Sequence, residues 1–381
     1  MRYRRLGKTG LSVSEIGYGG EWLDGKTPDE AKQLADRCMS HGINICDCWM
    51  SDPTVRSNLG DSLKGMRDRW IIQGHIGSTW QNGQYVRSRE LNHVIPAFED
   101  LLRRLRTDYI DLGMIHYVDE QAEWDRIQDS PFIEYVYRLR DEGKIKHIGL
   151  STHNPLIGIQ AVNSGIVEMI MFSVNPIFDM LPPTENIDDC FADDFDPRLG
   201  GIYKDRAEFY ALCERNDIGL TVMKGFAGGR LLHADRSPFG VALTPVQCLH
   251  YALTRPAVAS VMVGYSEPWH IDAAAAYETA SDDEKDYASV LASAERHTYK
   301  DMCTYCGHCR PCPSNIDIAM VNKLTDLALM QKEIPASVAG HYGDMAAHAS
   351  DCIACGGCMT RCPFGVNVIE YMRRAKDLFG V

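Results

Sequence analysis

Eight cysteines between positions 303 and 362 constrain this chain more than any other feature. They fall in two runs, Cys303-Thr304-Tyr305-Cys306-Gly307-His308-Cys309-Arg310-Pro311-Cys312-Pro313 and Cys352-Ile353-Ala354-Cys355-Gly356-Gly357-Cys358-Met359-Thr360-Arg361-Cys362-Pro363. The second run reads C-x2-C-x2-C-x3-C-P, a spacing at which three thiolates of one tight loop reach three iron corners of a [4Fe–4S] cube. Gly356 and Gly357 let the backbone curl around it, and Pro363 turns the chain away. The first run has the same pattern with one residue fewer before its last cysteine. Two such runs predict two [4Fe–4S] clusters. Zinc is the competing reading. A structural zinc site takes four ligands, commonly as two C-x2-C pairs separated by a longer loop, and two runs of four closely spaced cysteines fit that badly.

The chain has 14 cysteines, and the remaining six (Cys38, Cys46, Cys48, Cys190, Cys213 and Cys248) are scattered ahead of the runs. Cys38 shares an apolar helix face with Ala31, Leu34 and Ala35 and is expected in the core. The N-terminus, Met1-Arg2-Tyr3-Arg4-Arg5, lacks the apolar segment of a signal peptide, so a secreted disulfide framework is a poor reading and a reducing, cytoplasmic setting is expected. The charge sum of 39 − 52 = −13 argues against nucleic acid as a partner. No run approaches the ~20 apolar residues of a membrane-spanning helix.

At 381 residues the chain is long enough for two or three domains. Residues 1–295 alternate strand and helix. Asp29 opens an amphipathic helix that Gly42 ends, and Arg89 to Leu105 is a second helix. Short apolar strands are predicted at Ile16–Gly19, Ile43–Cys46, Trp70–Gln73, Tyr109–Ile115, Ile148–Leu150, Val167–Phe172, Leu220–Met223 and Ser260–Val263. Eight such units over this length predict a (β/α)8 barrel, an α/β fold. A doubly wound sheet is the alternative, but no G-x-G-x-x-G follows the first strand. Pro182 to Pro197 carries six carboxylates and is expected to be a solvated surface loop, with a lid over the barrel mouth as the second reading. Residues 296–381 form the cluster domain. It is expected to be largely helical, from Ile318 to Gln331 and from Val368 to Phe379.

Several segments of the first 295 residues carry a family resemblance. Arg4-Arg5-Leu6-Gly7-Lys8-Thr9-Gly10-Leu11-Ser12-Val13-Ser14 resembles the N-terminal hairpin of aldo-keto reductases. Gly42 to Asp47, Asp108 to Leu112, His147 to Ser151, Val222 to Leu232 and Val261 to Ser266 resemble that family's strands and turns, in order. With the cysteine runs, the chain resembles the aldo-keto-reductase-like iron–sulfur oxidoreductases of bacteria. The runs themselves resemble those of two-cluster ferredoxins, in which the fourth cysteine of each run ligates the other cluster. That resemblance implies Cys303, Cys306, Cys309 and Cys362 on one cube, and Cys352, Cys355, Cys358 and Cys312 on the other.

The same resemblance implies a catalytic Asp, Tyr, Lys and His at the ends of early barrel strands, with NADP(H) as hydride carrier. Asp47 and His116 match. Asp52 stands where the tyrosine belongs, and His75 where the lysine belongs. Asp47, His75 and His116 are expected to converge at the barrel mouth, with His75 and His116 handling protons, Asp47 orienting them and Asp52 near the substrate. A two-His, one-carboxylate metal triad is a second reading of the same residues. Ser151, Asn175, Lys224, Gly264, Ser266 and His270 are the expected cofactor contacts. The family's Arg or Gln and Glu–Asn grip on the nucleotide is replaced around His270, Asp272 and Ala274.

The function implied is an oxidoreductase that passes electrons between two clusters and a small organic substrate. A nicotinamide or flavin is the expected two-electron station, and a ferredoxin-like or flavin carrier the expected partner. Alternatives are an NADPH-dependent carbonyl reductase with structural clusters, a non-catalytic electron-transfer subunit, and a lyase or dehydratase using the Asp/His set.

Overall fold

The computed structural model describes residues 1–330 and 333–381. A short antiparallel hairpin comes first, β1 (Tyr3–Arg5) and β2 (Ser12–Ser14). Eight parallel strands and their helices follow: β3 (Ile16–Gly19), α1 (Pro28–Ser40), β4 (Ile45–Cys48), α2 (Pro53–Ser62) and β5 (Ile71–Ile76). An antiparallel pair is inserted next, β6 (Ser78–Gln81) and β7 (Gln84–Arg87). The series resumes with α3 (Leu91–Leu105), β8 (Ile110–Ile115), α4 (Gln121–Gln128), α5 (Pro131–Asp141), β9 (Ile145–Thr152), α6 (Pro155–Ser164), β10 (Met169–Ser173) and α7 (Pro176–Asp179). It ends with α8 (Lys204–Arg215), β11 (Gly219–Met223), α9 (Pro245–Leu253), β12 (Val258–Gly264) and α10 (Pro268–Ala275). The sheet closes in the order β10-β11-β12-β3-β4-β5-β8-β9, a (β/α)8 barrel.

All eight predicted strands are present, with ends shifted by up to three residues. The helices begin where the sequence supplies caps. Thr27 and Glu30 form a capping box ahead of α1. Asp52, Ser130, Asn154, Asn175 and Thr244 each accept a backbone N–H in the first turn of a helix that begins with proline. The barrel interior is packed by Leu6, Val13, Ile45, Leu112, Met114, Met169, Ala259 and Met262. Leu6 and Val13 come from the β1–β2 segment, which therefore plugs the floor and leaves the opposite mouth for a site.

Beyond α10 come α11 (Asp282–Lys285), α12 (Tyr287–Ala292), α13 (Ile318–Leu329), α14 (Ala336–Gly343), α15 (Gly357–Arg361) and α16 (Val368–Phe379). The helix expected to run to Gln331 ends at Leu329, and Gln331 lies outside the described residues. The tail is joined to the barrel wall by a buried polar layer. Asp179 accepts from Arg206 Nε at 2.9 Å, from the Tyr210 hydroxyl at 2.5 Å and from the Tyr251 hydroxyl at 2.7 Å. Tyr251 meets the Tyr299 hydroxyl at 3.2 Å, and Tyr299 donates to the Pro176 carbonyl at 2.8 Å. Arg255 Nη2 and the Tyr287 hydroxyl donate to the Thr304 carbonyl at 2.5 and 2.9 Å. The first cysteine run is thus hydrogen-bonded directly to barrel helices.

One glycine tests the packing of α2 on α3. A Cβ on Gly60 would lie 2.0 Å from the Arg104 carbonyl oxygen and 2.7 Å from the Leu105 Cα. Helix propensity alone favours Gly60→Ala by about 1 kcal/mol. The clash with rigid backbone reverses the sign, and we expect a net loss of about 2 kcal/mol or more in chemical denaturation.

Candidate functional site

The barrel mouth opens into a cavity of about 710 Å³. Its polar wall is built by adjacent strands. Register pairs Asp47 with Gln73 across β4 and β5, and His75 with Met114 across β5 and β8, so the ends of three neighbouring strands bring Asp47, His75 and His116 together. His75 Nε2 lies 2.9 Å from Asp47 Oδ1, and His75 Nδ1 lies 2.8 Å from His116 Nδ1. The Tyr85 hydroxyl lies 2.7 Å from His116 Nε2. Gln73 Nε2 donates to Asp47 Oδ1 at 2.9 Å from the layer below. Asp47, His75 and His116 are all buried, and all three line the cavity together with Tyr85.

The polarity of this chain follows from one fact: an ionised carboxylate only accepts hydrogen bonds. His75 Nε2 must therefore donate to Asp47. A neutral His75 then accepts at Nδ1, so His116 donates from Nδ1 and accepts at Nε2, and Tyr85 donates to it. Burial, with further contributions from His75, Arg89, Arg87 and His153, holds the His116 imidazole well below its usual range and keeps it neutral. Tyr85 is pushed up from its ordinary value by burial. Because His75 uses both ring nitrogens within the chain, the three side chains form a line. Among the described residues no three His, Cys, Asp or Glu side chains converge on a single-ion site. The metal-triad geometry is thus not formed.

Tyr85 was not legible as a site residue, although its signal was present. Asn82-Gly83 is the two-residue turn that most strongly marks a hairpin. Both residues adopt positive φ, 52° and 78°, as the turn requires. The pair β6–β7 carries Tyr85 over the mouth, where its ring stands edge-on to His116 at 5.6 Å between centroids. Arg87 and Arg89, just beyond, brace the following strand end. Arg87 Nη1 donates to the Tyr117 carbonyl at 3.0 Å, Arg89 donates to the His116 carbonyl, and both arginines pair with Glu123.

The other expected residues divide into two groups. Ser151, Lys224, Gly264, Ser266 and His270 line the cavity, as do Trp22, Trp49, Tyr117 and His153. Asp52 and Asn175 are not among its lining residues. Asp52 Oδ1 accepts from the backbone N–H groups of Thr54 and Val55 at 2.7 and 3.0 Å, capping α2. Asn175 caps α7 and donates to the Lys224 carbonyl at 2.9 Å. Proline after each of these residues carried the capping signal. The acidic stretch corrects an expectation: Ile187, Asp188 and Phe191 line the cavity, so its apolar side chains turn over the mouth while most of its carboxylates stay in water.

At the dinucleotide end of the mouth Gly264, Ser266 and His270 line the open cavity. The backbone N–H groups of Ser266 and Glu267 both donate to His270 Nδ1 at 3.3 Å. Lys224 is the one lysine or arginine among the described residues that line the cavity. The amide donors that open α10, where a phosphate would sit, are held by the His270 ring, which a phosphorylated dinucleotide would displace.

The cysteine runs fit cubes. Cys312, Cys352, Cys355 and Cys358 line one cavity together with Ile316, Ile353, Ile369 and Met372, and none of the other four cluster cysteines lines it. Arg361, beside Cys362, donates from Nη2 to the Cys309 and Pro311 carbonyls at 2.7 Å and ties the second run to the first. Around the first run Asn322 Nδ2 points at Cys303 Sγ at 3.3 Å, and the Thr304 hydroxyl and the His308 ring bear on the Cys306 sulfur. Polar groups aimed at these sulfurs fit the surroundings of a bound cube.

Comparison with known proteins agrees with this architecture. The aldo/keto reductase family model matches residues 15–242, and a 4Fe-4S dicluster domain model matches residues 275–366. The chain belongs to the aldo/keto reductase family and carries a 4Fe–4S dicluster domain at its C-terminal end. It is 29% identical over 186 residues to "Uncharacterized oxidoreductase YqkF" of Bacillus subtilis, covering 48% of this chain and 58% of that protein. It is 29% identical over 194 residues to aldo-keto reductase YhdN of the same organism, covering 48% and 54%. L-galactose dehydrogenase of Arabidopsis thaliana is 28% identical over 198 residues, covering 47% and 60%. The chain thus spans a little over half the length of these curated relatives. The holo form of aldo-keto reductase AKR11C1 from Bacillus halodurans shares the fold, with a TM-score of 0.60 at 23% identity over 75% of this chain and 94% of its own.

The proton positions are directly measurable. In histidine-labelled protein, nitrogen NMR should find His116 neutral from about pH 7.5 to about pH 5.5, with its proton on Nδ1 while the line is unprotonated. Asp47→Asn should scramble the tautomers of both rings. A native His116 protonated on Nε2 while the line is unprotonated contradicts the polarity derived above.

Proposed function

We propose that this protein is an oxidoreductase that exchanges electrons between two [4Fe–4S] clusters and a small organic substrate at the barrel mouth, with Tyr85, His116, His75 and Asp47 moving the proton. The barrel is assigned to residues 1–295 and the cluster domain to 296–381, with the cubes held by Cys303, Cys306, Cys309 and Cys362, and by Cys352, Cys355, Cys358 and Cys312. When bound, the clusters supply one-electron steps. A ferredoxin-like or flavin carrier is the matching partner, in a reducing cytoplasm. A nicotinamide or flavin, when bound, would supply the two-electron step between substrate and clusters.

The observation that carries this reading is the continuous hydrogen-bonded line from Tyr85 to Asp47. In its neutral state the line accepts a proton. A substrate hydroxyl gives its proton to Tyr85 Oη as Tyr85 gives its own to His116 Nε2. The C–H hydrogen would leave with the electron pair as hydride to a two-electron acceptor of the flavin or nicotinamide class, which would pass the electrons one at a time to the clusters. The His116 Nδ1 proton then passes to His75 Nδ1, leaving an imidazolium against Asp47. In the protonated state the two bonds beyond Asp47 run the other way, while His75 Nε2 still donates to the carboxylate. His75 Nδ1 donates to His116, His116 Nε2 donates to Tyr85, and the Tyr85 hydrogen is free to reach a substrate carbonyl. One added proton therefore converts the site from base to acid. Arg87, Arg89 and His153 are the other ionisable groups that bear on His116, and each disfavours its charged form.

The family tyrosine is thus replaced by one from a different element, held by histidine rather than lysine. The likeness to L-galactose dehydrogenase makes hydroxyl compounds and their carbonyl counterparts the first substrates to assay.

The test is an anaerobic assay of small alcohols and the corresponding aldehydes and ketones, with a viologen dye as one-electron carrier. Carbonyl reduction should fall and alcohol oxidation should rise with pH, on a single shared ionisation. Tyr85→Phe should lower the rate of either direction by about 10²- to 10⁴-fold without altering the iron content. Asp52→Ala should perturb only the stability of α2, by about 1 kcal/mol. A Tyr85→Phe variant with native turnover removes the proposed relay.

A further inference from the structure

The two cluster sites have different surroundings, and the difference has a redox sign. The first site meets a buried polar wall. Asn322 is 1% exposed, and its Nδ2 points at Cys303 Sγ while its Oδ1 has no partner. The amide is therefore held on its donor side alone. Thr304 is 1% exposed, and its hydroxyl bears on the Cys306 sulfur. Arg255 is 2% exposed. Its Nη2 reaches the Thr254 and Tyr287 hydroxyls and the Thr304 carbonyl, none of them a carboxylate, and its Nε and Nη1 are buried without an acceptor. Asp179 and the rings of Tyr251 and Tyr305, at 4.5 and 5.8 Å from the guanidinium, offset part of this buried charge, and the remainder faces the first cysteine run through Thr304. Four thiolates and a cube carry a net negative charge, and the first cysteine run starts one residue from the Thr304 carbonyl that Arg255 holds.

The second site is walled by Pro313, Ile316, Ile318, Ile353, Ile369 and Met372. Ile353 is 66% exposed and Cys355 is exposed. Its one guanidinium, Arg361, already donates to the Cys309 and Pro311 carbonyls. Its sulfur-directed contacts come from backbone, the Ala354 N–H to Cys352 Sγ at 3.4 Å and the Met359 N–H to the Cys358 sulfur.

We propose that the clusters are inequivalent, with the Cys303/Cys306/Cys309/Cys362 cube the higher in potential because Asn322, Thr304 and Arg255 stabilise its reduced, more negative state. Hydrogen bonds and positive charge near cluster sulfur raise the potential. Solvent at the second site acts in the opposite sense. The two donors and the guanidinium of the first site act against it and against the Asp326 carboxylate that bears on Cys303, in an interior where charge is poorly screened. Electrons entering at the exposed second cube then run downhill to the cube that touches the barrel wall. The residues of the first site thereby set a direction of flow, and the inference rests on the two-cluster reading above.

The experiment is a potentiometric titration of the anaerobic full-length holoprotein followed by electron paramagnetic resonance. The wild type should show two separate midpoints. Asn322→Leu, which keeps the volume and removes the donor, should move the upper midpoint to a more negative value and leave the lower one in place. Arg255→Gln should move the same midpoint in the same direction. It serves as an independent check, since its neutral amide retains a donor and its destabilisation of the fold is read separately by thermal unfolding. Coincident midpoints in the wild type, a shift confined to the lower midpoint, or no shift in Asn322→Leu overturn the proposal. Iron for only one cube, with one signal, instead defeats the two-cluster reading on which it stands.

Discussion

Closure of the barrel is the constraint from which the rest of the molecule follows. Parallel strands in a closed sheet share one register, so a residue at the end of each strand is fixed against its neighbours on both sides. That is why Asp47, His75 and His116, separated in sequence by 28 and 41 positions, lie within hydrogen-bond distance in a line. It is also why Gln73, two residues before His75 on the same face of β5, sits one layer below and holds Asp47 from beneath. The packed methionines of the interior and the Leu6 and Val13 plug close the other end, so water and substrate meet the line from the mouth alone.

A second constraint is the burial of charge. Asp179 and Arg206 sit between sheet and helices with almost no exposure, satisfied by each other and by the hydroxyls of Tyr210 and Tyr251. The same layer continues through Tyr299, Tyr287 and Arg255 to the first cysteine run. Hydrogen bonds that would otherwise end in the barrel wall instead hold the cluster domain, and this physical connection is what makes a shared electron pathway sensible.

Much of this was legible in the sequence because it is periodic or strictly spaced. The strands announced themselves as short apolar runs, and the cysteine runs by their intervals. Asp47, His75 and His116 were found through the family resemblance, which places its catalytic positions at strand ends. What escaped was set by local chemistry competing with family position. Asp52 occupied the expected place of a tyrosine, yet its following proline made it a helix cap. Asn175 was a cap for the same reason. Tyr85 escaped because the strand alternation hid an inserted hairpin, although Asn82-Gly83 marked its turn. The stretch from Pro182 to Pro197 was dominated by carboxylates, and its few apolar residues, Ile187 and Phe191, decided where it lies. Sequence spacing also could not reveal Arg255 and Asn322 as neighbours of the first run, since they come from α13 and from the end of α9.

The account as a whole depends on eight thiolates holding two iron–sulfur cubes against a barrel of this family. The most direct measurement is the iron and acid-labile sulfide content of anaerobically purified full-length protein. Two [4Fe–4S] clusters require about eight of each per chain. Zinc in place of iron, or iron without labile sulfide, would contradict it.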